Sequence, residues 1–434
     1  MKAPSQWPKE VSQYYSPVRV LGQGGFGSVI LGRRKADAPS TDQLHNPHAD
    51  ADLVAIKVVG SQDVTDSDVG YAHREMDILA ELQHPHIMKV LRVWEPKPEE
   101  HLCAAVMVLS YAPGPTLHDL IRKGGALSTN FARVVLAQIV DALAYVHSRA
   151  VVHRDIKSDN FVVTGAAMEQ DEIWDNNVGI NTVREPDWPA LHKKWHVVLL
   201  DFGFARALTP DDMKKKMPKV DPHGLGASVI SSESLGNSTS SRRSLNRSVS
   251  RMFTRQMSAV GHRDFAAPEI TKKVQELDAS ARGGKDILHT FSKHQANYGL
   301  QVDAYSLGVL MRNALTGVPP NEDVRDFIAL QNNPLLLLFR CCAKKKSGSG
   351  EQREPQYRGW DQVPGEVLRL IKGLMHYDPQ QRTTVRTARR YPWIDDVLEG
   401  DGPSLKEVHY LELVRKSTIV NGEAEPAEIV EPDN

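Results

Sequence analysis

Residues His153 to Asn160 read His-Arg-Asp-Ile-Lys-Ser-Asp-Asn, and four of them carry polar groups that phosphoryl transfer can use directly. Asp155 supplies a carboxylate, Lys157 an ammonium, Asn160 an amide oxygen of the hard kind a metal ion accepts, and Arg154 a guanidinium that pairs with phosphate. A chance run in this order is improbable. One octapeptide cannot hold a nucleotide, so the rest of the chain must supply a phosphate grip, a further metal ligand and the elements that carry them.

Leu21-Gly22-Gln23-Gly24-Gly25-Phe26-Gly27-Ser28-Val29 has the spacing of a phosphate-binding glycine loop. The spacing alone is weak, because dinucleotide-binding folds place it before a helix. Here Ser28-Val29-Ile30-Leu31 follows, which predicts a second strand and therefore a hairpin within 18–31. Glycines at its tip let backbone amides approach phosphate oxygens, although an ordinary flexible hairpin has the same letters. Val54 to Val59 predicts the next strand, with Lys57 among apolar neighbours. A lysine there needs a carboxylate partner. The helix predicted over 63–82 offers Glu75 beside the inward face made by Met76, Leu79 and Leu82, with Glu81 as the competitor. Asp201-Phe202-Gly203 ends an apolar strand predicted from His196 to Leu200.

This ordered series resembles the eukaryotic protein kinases of the serine/threonine type, over about Tyr14 to Ile394. The resemblance implies a two-lobed α+β fold, with a β-rich N-lobe (14–111), a helical C-lobe (112–396) and an ATP cleft between them. An N-terminal extension (1–13) and an acidic C-terminal tail (397–434) would flank it. The implied reaction transfers the γ-phosphoryl of Mg-ATP to a protein hydroxyl, with Mn²⁺ as an alternative metal. Asp155 would orient the attacking hydroxyl and take its proton, and Lys157 would stabilise the transferring charge. Lys57, fixed by Glu75, would hold the α and β phosphates, and Asn160 and Asp201 would bind the metal.

The resemblance also assigns the nucleotide pocket. Gly22, Gly24 and Gly27 would cover the phosphates; Leu21, Val29, Ala55 and Val162 would sandwich the base. Leu109 would guard the back of the pocket, and Ser110 and Ala112 would lie at the hinge, Ser110 standing where the family more often has an acidic residue. Asp303 would brace the catalytic-loop backbone, and Arg382 would pair with Glu269. Lys157 fits the serine/threonine type rather than the tyrosine type.

Composition bounds these readings. The 434 residues are 41% hydrophobic and 25% charged, the balance of a globular protein with a sizeable core. Lys and Arg total 53 against 54 Asp and Glu, so no global field favours nucleic acid or an anionic membrane. Three cysteines, two of them adjacent, form no disulfide framework, which fits an intracellular and cytoplasmic setting. No apolar run approaches the roughly 20 residues that span a bilayer. The longest, Leu335 to Phe339, precedes Cys341, Cys342 and a lysine cluster; a core helix ending in a solvated loop explains these letters better than acylation.

Loop insertions are expected near 35–51, 165–194, 208–258, 277–297 and 343–359. The third is Ser/Arg-rich, and Ser258 stands where activation segments often carry a phosphate, for which Arg154 would be the receptor. An upstream kinase is thereby implied as a partner, beside ATP and protein substrates. His262 stands where the family usually has threonine, and Phe265 where it usually has tyrosine. These departures keep open a second reading, a pseudokinase-like scaffold that binds nucleotide with its substrate site blocked. A nucleic-acid binder fits less well, because the Ser/Arg tract lacks interleaved aromatics apart from Phe253.

Overall fold

β-Branched and apolar runs separated by turn residues form one antiparallel sheet in the first part of the chain. The computed structural model describes residues 9–24, 27–38, 52–59, 66–94, 105–165, 169–174, 186–214, 264–270, 299–320 and 359–398. Its first five strands are β1 (Tyr15–Gly24), β2 (Gly27–Arg34), β3 (Leu53–Val59), β4 (Val90–Trp94) and β5 (Ala105–Ser110). Their order in the sheet is β1-β2-β3-β5-β4. The inner strands β3 and β5 are buried almost throughout, which is why they read as continuous apolar runs rather than as alternating ones. Gly27, at φ 138°, opens β2 so close to the Val58 carbonyl that a Cβ there would collide with it.

Two helices belong with this sheet. The first, α1 (Lys9–Tyr14), precedes β1 and buries Val11 in one apolar cluster with Tyr15, Ile30, Ile56 and Val108. Residues expected only as an extension therefore contribute to the core. The second, α2 (Asp66–Glu81), packs with β4 and β5 and buries Met76, Ile78 and Leu79.

The chain divides into two compact units: the described residues up to Pro113 with Asp201–Ala205, and Gly114–Leu200 with the described residues from Arg206 onward. In the second unit, helix α3 (Leu117–Gly124) opens with a reciprocal capping box between Thr116 and Asp119. Helix α4 (Thr129–Ser148) starts at the Ser128 cap. It is long and apolar enough to cross a membrane, yet 83% of that stretch is buried inside the protein, as in a core helix. Strand β6 (Val151–Val152) leads into the His153–Asn160 loop, and β7 (Phe161–Gly165) leads out.

The insertion after β7 is structured at both ends. Helices α5 (Gln170–Trp174) and α6 (Trp188–Lys194) flank it before β8 (Trp195–Leu199) pairs antiparallel with β7, and Lys194 Nζ meets both Glu172 oxygens at 2.6 and 2.7 Å. Strand β9 (Arg206–Ala207) returns to β6 and is followed by α7 (Pro210–Lys214). Helix α8 (Gln301–Thr316) packs against α9 (Gly365–Leu374), and α10 (Val385–Arg389) and α11 (Pro392–Asp395) pack on α4. Gly25, Phe26, most of the 35–51 loop, Ser258, His262, Phe253, the cysteines, the 277–297 insertion, nearly all of the 343–359 insertion and the tail from 399 lie outside the described residues.

Candidate active site

In the sheet-rich unit, register places Lys57 on β3 between Val29 of β2 and Met107 of β5. Its Nζ donates to Glu75 Oε1 at 2.6 Å and Oε2 at 2.8 Å, and to Asp201 Oδ1 at 3.1 Å. Glu75, not Glu81, is therefore the partner. The selection is geometric, because both acids lie on α2 but only Glu75 reaches Lys57. Burial opposes the Lys57 charge, yet the Asp201 and Glu75 carboxylates outweigh it and hold the ammonium well above its ordinary pKa. Burial also pushes the Glu75 carboxyl up, against the pull of Lys57 and of a hydrogen bond from the Phe202 backbone.

Asp201 occupies a left-handed conformation, φ 49°, uncommon for a non-glycine residue though aspartate adopts it more readily than most. Gly203 N donates to Asp201 Oδ1 at 3.2 Å, and the Phe202 side chain is fully buried. One ammonium among two carboxylates leaves this cluster net negative. The pocket candidates of this unit line its strands. Gly22 pairs with Val29, Leu21 occupies the register shift beside it, Gly24 faces Gly27, and Ala55 lies opposite Leu109. Ser110 ends β5, where its Oγ accepts from Lys89 N at 2.9 Å and its N–H donates to Lys89 O at 2.8 Å. A buried hydroxyl thus ties the strand end to the chain entering β4, and Ala112 is buried just beyond.

In the helical unit, Asp155 is 4% exposed and its Oδ2 accepts from Lys157 Nζ at 2.8 Å and from Asn160 Nδ2 at 2.9 Å. Asn160 Nδ2 also donates to the Asp155 carbonyl at 2.8 Å. The backbone beneath them is held by Asp303 on α8, whose two oxygens accept from His153 N at 2.7 Å and Arg154 N at 2.8 Å. Arg154 is itself left-handed at φ 66°, so Asp303 stabilises a turn the loop would not keep alone. Val162 follows on β7, 7% exposed, and bridges to Thr116.

One partner escaped the sequence reading. His147, at the end of α4, donates Nε2–H to Asp303 Oδ2 at 2.9 Å, with both side chains buried. Its spacing from His153 carries no recognisable pattern, and only folding brings it onto α8. Burial disfavours the Asp303 charge, but the hydrogen bond and field of His147, with those of His153, outweigh it and hold the carboxyl below its ordinary 3.8. A depressed carboxyl stabilises the fold above its unfolded pKa and loses that contribution as pH falls through the lower folded value. Acid titration of the purified protein should therefore show a steeper loss of stability below about pH 4 than titration of Asp303→Asn, read by circular dichroism in urea.

At a distance from the loop, Arg382 and Glu269 form a buried bidentate pair, Nη1 to Oε1 at 2.8 Å and Nη2 to Oε2 at 3.0 Å. Phe265 is buried, and its carbonyl accepts from Ser306 Oγ at 2.8 Å.

Each unit carries an oxygen donor of the hard kind a divalent cation accepts. Asp201 and Asn160 offer oxygen, and because Asn160 uses Nδ2 for its contacts with Asp155, its Oδ1 remains the acceptor side of the amide. Among the described residues no three His, Cys, Asp or Glu side chains form a closed metal cage. Mg²⁺ is commonly held by one or two protein oxygens, with waters and substrate phosphates completing the shell, so it requires no closed cage of protein side chains.

A family model described as the protein kinase domain matches residues 15–394. The chain belongs to the protein kinase family. The kinase fold accounts for its β-rich and helical units as the family's two lobes. The kinase is 26% identical to a maternal embryonic leucine zipper kinase of Danio rerio, over 89% of this chain and 38% of that protein. It is 24% identical to the calcium/calmodulin-dependent protein kinase cmkA of Emericella nidulans, over 92% of this chain and 66% of that protein. With the serine/threonine-protein kinase fused of Drosophila melanogaster it shares 28% identity over 45% of this chain and 18% of that one. The kinase thus spans about two fifths of the length of the first of these relatives.

Proposed function

We propose that this chain is an ATP-dependent serine/threonine protein kinase that transfers the γ-phosphoryl of Mg-ATP to protein hydroxyls. The observation that carries the reading is the loop in which Lys157 and Asn160 converge on the buried Asp155 carboxylate while Asp303 holds the backbone. A group placed to take a proton, with a cation beside it, is what this reaction asks of a protein, since its catalysis is mostly positioning and electrostatics.

Asp155 orients the substrate hydroxyl and accepts its proton, and Lys157 stabilises the charge of the transferring group. Lys57, held by Glu75 and Asp201, binds the α and β phosphates. Asn160 and Asp201 are the residues that would hold Mg²⁺, which when bound neutralises charge on the β and γ phosphates. Gly22, Gly24 and Gly27 cover the phosphates, and Leu21, Val29, Ala55, Leu109 and Val162 enclose the base, with Ser110 and Ala112 presenting backbone groups at its edge.

Purified protein with Mg-ATP and a degenerate peptide library should place phosphate on Ser or Thr. Nucleotide binding without any transfer, by protein that also lacks autophosphorylation, would instead establish the scaffold reading. Phosphorylation of Ser258 by an upstream kinase is proposed to raise activity through Arg154. Ser258→Ala should lower turnover several-fold relative to phosphorylated wild type and make it insensitive to phosphatase; unchanged turnover and sensitivity would sink this role.

A further inference from the structure

We infer that Gln138 is a positioning residue for phosphoryl transfer, setting the register of the β7–β8 pair that follows Asn160 in place of the tight turn these strands lack. The inference rests on the kinase reading of the loop and deepens it.

Gln138 lies on α4 and is fully buried. An uncharged amide in that position is costly unless its groups are bonded, and here three contacts serve it. Nε2 donates to Trp195 O at 2.7 Å and to His192 O at 3.1 Å, and Oε1 accepts from Val197 N at 2.8 Å. One side chain therefore reads both backbone donor and acceptor of the chain leaving α6 and entering β8. Trp195, whose carbonyl it holds, is buried edge-on against Phe131 of α4 with ring centroids 4.9 Å apart.

In an ordinary hairpin the turn fixes the register, and a slip of one residue exchanges the two faces. Here β7 ends at Gly165 and β8 starts at Trp195, and the whole insertion lies between. A connection that long restrains its ends only weakly. Gln138 supplies the restraint from the side, because its bonds distinguish Trp195 from Val197. Register then passes directly to the loop: Phe161 faces Leu199, Val163 faces Val197, and Leu200 N donates to the Asn160 carbonyl at 2.8 Å.

The insertion is anchored on α4 at its other end too, and there on α3 as well. Ser128 Oγ donates to Glu172 O at 2.5 Å, Ser128 N donates to Ile173 O at 2.7 Å, and Trp174 Nε1 donates to Leu120 O at 3.3 Å. Both ends of the insertion are thereby tied to α4, the first also to α3, and Gln138 is the tie that bears on β8.

Two variants test this. Gln138→Met keeps the length and loses every hydrogen bond. Gln138→Glu keeps the shape and one donor only while protonated; once ionised it faces the Trp195 and His192 carbonyls. Gln138→Met should lower kcat by about tenfold to a hundredfold per nucleotide-binding molecule and raise the Mg²⁺ concentration needed, with the peptide KM little changed. Gln138→Glu should lose activity relative to wild type as pH rises from about 6 to about 8, a profile that lost packing alone would not produce.

Hydrogen exchange over 158–165 and 195–200 gives a reading independent of activity and should accelerate in Gln138→Met. A Gln138→Met protein with a lower melting point but wild-type kcat, Mg²⁺ dependence and exchange would overturn the inference. Should that variant fail to fold, a pH-independent activity ratio for Gln138→Glu would overturn it instead. Wild-type protein that transfers no phosphate while its Gln138→Met form exchanges faster would defeat the kinase reading and leave the register role standing.

Discussion

Asp155→Asn is expected to lower kcat by roughly 10²–10⁴-fold, the range typical for loss of a positioned general base. The substitution is nearly isosteric, so the loss is chemical rather than one of packing. Asp155 Oδ2 accepts from the Lys157 ammonium and from the Asn160 amide at once. An asparagine either turns its NH₂ toward these donors or keeps its oxygen there and loses the charge that balances Lys157. In both cases no group remains to receive the hydroxyl proton. Single-turnover phosphorylation of a peptide by wild type and variant would measure the difference, and turnover at the wild-type rate would remove Asp155 from the mechanism. Nucleotide affinity should change little, because Lys57, Glu75 and Asp201 make their contacts within the other unit.

Arg382→Met is expected to destabilise the helical unit by about 3–5 kcal/mol, the usual cost of breaking a buried ion pair from one side. Arg382 donates five hydrogen bonds, two to Glu269 and one each to the carbonyls of His376, Gln301 and Tyr377. Its side chain is fully buried and that of Glu269 is 3% exposed, so the abandoned carboxylate has little access to water. Arg382→Lys should recover only part of the loss, since a point charge cannot reproduce the planar fork. The double variant Arg382→Met/Glu269→Leu should be more stable than Arg382→Met alone, because it removes the orphaned charge. Urea unfolding monitored by tryptophan fluorescence would rank the three, and equal midpoints for wild type and Arg382→Met would refute the assignment.

Local and ordered signals were legible in the sequence. The strand expected at Val54–Val59 begins one residue earlier, at Leu53, and the helix expected over 63–82 runs from Asp66 to Glu81. An apolar run in the one and apolar residues at helical spacing in the other are signals that local pattern captures. Helix α3 is too short for a long apolar face, since its signal is a capping box ahead of a single apolar turn of Leu117, Leu120 and Ile121. The insertion after β7 reads as polar loop, yet α5 and α6 form there because their ends find partners on distant helices. Val11 was missed for the same reason: one apolar residue in a polar start acquires meaning only against the sheet that buries it.

By itself the sequence determined the family, the two-unit α+β architecture and the order of the site residues, because short motifs record chemistry whose groups must occur at set spacings. Tertiary structure decided which of those groups meet. It chose Glu75 over Glu81, brought His147 to Asp303 and made Gln138 the tie on β8. Each of these contacts joins residues many positions apart, and its energy depends on burial and on hydrogen-bond directions that exist only once the helices and strands have packed.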